Sequence, residues 1–148
     1  MRRFITWHDP IAQILHATDP TSVLRHDVYH LRPHPSRYVN GRLVLLGDAA
    51  HAMTPDLGQG ACQALEDAAT LQMLIESHAD LATASARYDA SRRPRASLIA
   101  SRSRQLGRLG QLSGARATAL RNRIMYATPA RITNRQLDRT LIWHAPSP

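Results

Sequence analysis

The chain has 148 residues, 43% of them hydrophobic, and a formal net charge of +8 at pH 7 from nineteen basic against eleven acidic residues. That length suits one domain of ordinary size. The single cysteine, Cys62, excludes an internal disulfide and fits a reducing cytoplasm, and neither a signal peptide nor an apolar run of about twenty residues is present, which excludes a helical membrane span.

Asp9-Pro10 reads as an N-cap followed by proline at the first helical position, so a short helix is predicted to about Ala17. Thr18-Asp19-Pro20 stops it. Residues 23–31 read as extended, and a proline-broken loop over 32–40 leads to Gly41. His26, His30 and His34 are four apart, which on a helix suggests metal ligands, but Pro33 and Pro35 argue against that helix. On a strand the three share a face yet spread too far for one ion, so surface histidines and no metal are expected.

Next comes Gly-Arg-Leu-Val-Leu-Leu-Gly-Asp from residue 41, the most informative part of the chain. Four apolar residues, 43–46, stand between glycines without alternation, which fits a strand buried on both faces, as in a parallel sheet. In such sheets ligands sit outside the carboxyl ends of the strands. Asp48 falls there, and its carboxylate suits sugar-like hydroxyls. Gly47 permits the turn and a close approach. Pro55 stiffens the following loop and biases Thr54 away from helix. Gly58-Gln59-Gly60 then opens a helix whose positions 61, 64, 65, 68, 71, 72 and 75 are apolar or small except Gln72, the face predicted to meet the core. Cys62 on that helix is expected to be a packed thiol. The helix start offers free N–H groups and a partial positive charge.

Asp80 is predicted to cap a long helix through about Ser113, bent at Pro94. Gly107, Gly110 and Gly114 weaken its end, and two shorter helices split by Pro129 should follow. Residues 81–148 hold thirteen arginines against Asp89 and Asp138, and the chain has no lysine. Nucleic-acid binding is one reading of that charge. The arginines are scattered and not interleaved with aromatic side chains, so a solvated helical face is the better one.

Residues 41–69, with Gly47-Asp48, Ala49-Ala50-His51, Pro55, Gly58-Gln59-Gly60 and Leu65-Glu66-Asp67, resemble the second flavin-contacting motif of the FAD-dependent aromatic hydroxylases, the class A flavoprotein monooxygenases. Tyr88-Asp89-Ala90-Ser91-Arg92-Arg93-Pro94-Arg95 is similar to a helix of the same family, as is the Ser101-Arg102 stretch. The resemblance implies an α/β fold: an incomplete C-terminal part of a Rossmann-type FAD-binding domain, mostly helical with a few strands. It divides the chain into the tail of a substrate domain and crossover (1–40), the FAD-binding strand-loop-helix (41–80) and C-terminal helices (81–148).

The same resemblance implies that Asp48 contacts the flavin ribityl chain, that Pro55 lies beside the isoalloxazine ring, and that Gly58, Gln59 and Gly60 face its pyrimidine edge, with Gly47 at the turn. It implies FAD as cofactor, NAD(P)H as electron donor, and O2 with an aromatic or similar small molecule as substrates. His51 is tempting as a general base, but the family makes it structural or a neighbour of the cofactor. Asp56 stands where the family often has asparagine. The G-x-G-x-x-G fingerprint for the FAD pyrophosphate does not occur in the sequence. The expectation is therefore the last third of an enzyme, inactive alone, whose remainder is a preceding or separate polypeptide. Its rivals are a non-catalytic helical remnant without flavin and an arginine-rich nucleic-acid-binding module.

Overall fold

The computed structural model describes Phe4 and residues 7–145. Helix α1 (Ile11–Ala17) opens it, starting one residue later than predicted, with Pro10 at its N-cap and no side-chain cap from Asp9. Asp19 caps a 3-10 turn at Pro20–Ser22. Residues 23–30 form no regular element, and the Leu31 amide donates to the Ala52 carbonyl at 2.9 Å.

Two short strands follow, β1 (Val39–Asn40) and β2 (Leu43–Val44), paired antiparallel with Asn40 opposite Leu43. Their two-residue connection is Gly41-Arg42, with positive φ at the glycine alone, the requirement of a type II′ hairpin turn. This corrects the expectation for 43–46. Among the described residues the run joins no parallel sheet, its ladder ends at Val44, and Leu43 is 62% exposed. The reason is local: Gly41 reverses the chain, so the preceding segment is the nearest partner for the strand's hydrogen bonds.

Helix α2 (Asp48–His51) is a single turn, and a 3-10 turn (Pro55–Leu57) leads to α3 (Gly60–Ser77). Helix α4 (Leu81–Gly110) runs thirty residues, continuing through Pro94, and the Asp80 side chain caps it by accepting from the Thr83 amide at 2.8 Å. Helices α5 (Ala115–Ala127) and α6 (Ala130–Leu141) are separated at Pro129, as predicted. Arg121 of α5 donates to the Leu109 and Gly110 carbonyls, which closes the C-terminus of α4.

The core lies between α3, α4 and the hairpin. Tyr38, Ala50, Leu74, Ala84, Tyr88 and Ala96 are buried together, with Val44, Leu45, Leu46 and Leu71 packed against them. Two hydrogen bonds tie the hairpin to α4: the Tyr38 amide donates to Asp89, and the Tyr88 hydroxyl donates to the Leu45 carbonyl at 2.9 Å.

Helix α3 packs mainly on another face than the predicted one, of which only Ala64 and Leu71 are half-buried. Ala61, Leu65, Ala68, Gln72 and Ile75 are exposed, Leu65 by 72%, and Cys62 is an exposed thiol rather than a packed one. The stripe at 63, 66, 67, 70 and 74 is buried against α4 instead, and four of its five residues are polar or charged. Burial of Glu66 and Asp67 is offset by cations that α4 brings to them.

Candidate functional site

The Gly47-Asp48 corner follows the hairpin. Gly47 is buried at φ 54° and ψ −136°, a conformation open essentially to glycine alone. A Cβ there would stand 3.3 Å from that of Ala64 on α3. The corner turns the chain directly into α2, whose first residue, Asp48, is exposed. Gly58 is left-handed, at φ 63° and ψ 22°, and ends the 3-10 turn. Pro55 and Gly58 are exposed, Gln59 is buried, and Gly60 begins α3, whose N-cap residue Gln59 makes no side-chain capping bond. The amides of that first turn are therefore free of side-chain caps.

Beneath this surface lies a charge cluster that sequence reasoning did not assemble. Asp67 is fully buried. Its Oδ2 accepts from the Gly47 amide at 2.9 Å and lies 2.5 Å from His51 Nε2, while its Oδ1 accepts from Arg92 Nε at 2.7 Å. Arg92, 1% exposed, also donates to Glu66 and to both oxygens of Gln63. Arg95 donates twice to Glu66, at 2.7 and 2.8 Å.

Burial pushes both carboxyls up. Hydrogen bonds from His51, Arg92 and Gly47 nevertheless hold Asp67 below its usual range, and Arg95 with Arg92 does the same for Glu66. Two carboxylates balance two guanidiniums. His51 Nδ1 is buried without a partner among the described residues, so Nε2 is the ring nitrogen that donates to Asp67. His51 is thereby a structural donor and not an exposed base. The charge pairs lie 25 to 29 residues apart in sequence. The available signal was the i, i+3, i+4 recurrence of polar residues at 63, 66, 67 and 70.

A second anchor is Ser103, fully buried on α4. Its hydroxyl donates to the Thr54 carbonyl at 2.6 Å and accepts from the Thr54 hydroxyl and the Leu57 amide. It fixes both ends of the Pro55 turn. Gly107, one helical turn on, approaches the Asp56 carboxylate so closely that a Cβ would overlap it.

The other candidates resolve simply. Among the described residues no group of three His, Cys, Asp or Glu side chains is placed to hold a metal ion. Burial pushes the His34 imidazole pKa down. No helix among the described residues is long and apolar enough to cross a membrane. Two of the C-terminal arginines, Arg92 and Arg95, are consumed by Glu66 and Asp67.

A hairpin, a Gly-Asp corner and a loop entering an uncapped helix are thus all held from behind by one long helix, α4. A family model described as FAD binding domain matches residues 11–103, and the chain belongs to that family. It is 43% identical over 125 residues to aurachin C monooxygenase/isomerase of Stigmatella aurantiaca, covering 84% of this chain and 32% of that protein. It is 42% identical over 91 residues to FAD-dependent urate hydroxylase of Klebsiella pneumoniae, covering 62% of this chain and 23% of that protein. Among solved structures, Klebsiella pneumoniae HpxO complexed with FAD and uric acid superposes with a TM-score of 0.81 at 34% identity, covering 95% of this chain and 36% of that one. The chain thus spans about a third or less of the length of these curated relatives.

Proposed function

We propose that this chain is the flavin-facing C-terminal portion of an FAD-dependent monooxygenase, with Gly47, Asp48, Pro55, Gly58, Gln59 and Gly60 lining the cofactor. The observation that carries the reading is an exposed carboxylate, Asp48, on a corner fixed by a fully buried one, Asp67, in a chain where an uncapped helix start supplies further polar groups. The residues fit the cofactor's chemistry. Asp48 accepts hydrogen bonds from ribityl hydroxyls. The first-turn amides of α3 donate to the pyrimidine edge, and the helix dipole favours negative charge there. Pro55 presents a rigid apolar edge to the ring, and Gly58, with open space around its Cβ position, allows close backbone approach.

When bound, flavin carries electrons from NAD(P)H to O2 for insertion of one oxygen atom into an aromatic or similar small substrate, and the protein supplies orientation and electrostatics. The division into a substrate-domain tail and crossover (1–40), a strand-loop-helix (41–80) and C-terminal helices (81–148) accompanies this reading. So does a Rossmann-type parent domain in the cytoplasm. The apolar strip of Ala61, Leu65, Ala68 and Ile75, with Leu43, is the surface that a polypeptide bearing the pyrophosphate-binding loop would cover.

The test is FAD affinity of the holoprotein with Asp48→Ala. Loss of a hydrogen bond to a charged group is expected to weaken binding roughly ten- to a hundredfold. Unchanged affinity would reject the ribityl contact.

A further inference from the structure

We propose that Asp67 is the positioning residue for Asp48. A single carboxylate oxygen, Asp67 Oδ2, holds both ends of the four-residue helix that Asp48 begins: the Gly47 amide before it and the His51 ring at its end. The second oxygen is held by Arg92, so the carboxylate has no freedom to rotate. The site is closed on the inner side, since Asp67, His51 and Arg92 are all buried while Asp48 alone is exposed.

The physical consequence is preorganisation. Gly47 reaches this backbone region without strain, but a glycine has many others open to it, so its surroundings must enforce this one. The charge-assisted bond from its amide to Asp67 supplies that enforcement. Asp48 follows immediately, so its carboxylate inherits the orientation of the Gly47 peptide. Asp67 never reaches the exposed surface; it acts through Gly47 and His51. An amide at position 67 keeps the size but replaces one oxygen with an NH2; with its remaining oxygen kept by Arg92, the NH2 faces both the Gly47 amide and the His51 ring, so the corner loosens. This inference rests on the flavin reading above, because that reading gives Asp48 its task.

A thermodynamic cycle in the FAD-loaded protein tests it. FAD dissociation constants are measured for the parent, Asp48→Ala, Asp67→Asn and the double variant. Asp67→Asn is expected to weaken FAD roughly tenfold in the parent and no more than about twofold in the Asp48→Ala background, the non-additivity of residues acting as one unit. An equal loss in both backgrounds, or no loss in either, overturns the proposal. If Asp67→Asn fails to fold, His51→Phe removes one donor while leaving the Arg92 pair, and the same background dependence is required.

The Gly47 amide provides an independent readout. Its proton resonance is expected to move upfield in Asp67→Asn (or in His51→Phe, to a lesser degree) while the Leu74 and Ile99 amides stay in place. A Gly47 resonance that does not move, or one that moves only together with those helical amides, also overturns it. Should Asp48→Ala leave FAD binding intact, the ribityl reading fails by itself, and the Gly47 amide still decides whether Asp67 holds the corner.

Discussion

Replacing Arg92 with methionine removes the cation that makes the polar interior of α3 and α4 tolerable. The guanidinium donates four hydrogen bonds, to Asp67 at 2.7 Å, to Glu66 at 2.5 Å, and to the Gln63 carbonyl and side-chain oxygens at 3.2 and 2.8 Å. Glu66 keeps Arg95, but Asp67 is left fully buried with only the Gly47 amide and the His51 imidazole. Breaking a buried pair by removing one partner costs about 3–5 kcal/mol. For a chain of this size that lowers the melting temperature by about 10–15 °C.

Chemical unfolding followed by far-ultraviolet circular dichroism measures the loss, and its pH dependence identifies the cause. Asp67 and Glu66 have depressed folded pKa values. Their contribution is therefore present above the unfolded carboxylate value and lost as pH falls below about 4. The variant lacks most of that contribution, so the stability gap between parent and variant narrows in acid. A loss at neutral pH below about 1 kcal/mol, or a gap that stays constant into acid, refutes the reasoning.

Three further outcomes follow from the same geometry. Gly47→Ala is expected to cost about 1–3 kcal/mol from forbidden backbone and the Ala64 contact, whereas Gly107→Ala meets only the tip of the exposed Asp56 side chain, which can rotate away; equal losses would contradict the distinction. Tyr88→Phe forfeits the bond to the Leu45 carbonyl and is expected to lower unfolding free energy by about 1 kcal/mol, with an unaltered denaturation midpoint counting against it. Ser103→Ala strands the half-buried Thr54 carbonyl and should cost about 1–3 kcal/mol; limited proteolysis should then cut first within residues 54–58, and cleavage elsewhere would argue against a role in holding that loop.

Much of the chain's punctuation was legible in the sequence because it is local chemistry. Asp80 caps α4 by accepting from the Thr83 amide three residues on, and Pro129 separates α5 from α6 since it has no N–H with which to continue a helix. Gly47-Asp48, Pro55 and Gly58 through Gly60 announce a corner, a stiff turn and a helix start, and the structure has all three in that order. The hairpin was overlooked although Gly41 marks its turn, because an unalternating apolar run reads equally well as a strand buried on both faces.

What the sequence could not decide is which face of α3 turns inward. Periodicity favoured positions 61, 64, 65, 68, 71, 72 and 75, of which Ala61, Leu65, Ala68, Gln72 and Ile75 are left exposed while Ala64 and Leu71 are half-buried. A helix buries the face for which its neighbours supply partners. The cations that neutralise Glu66 and Asp67 come from α4, 25 or more residues along the chain. Local composition therefore determined where the helices start and stop and which residues form the corner. Only tertiary packing decided that a fully buried carboxylate holds that corner from behind, because charge compensation is a relation between segments that no local pattern contains.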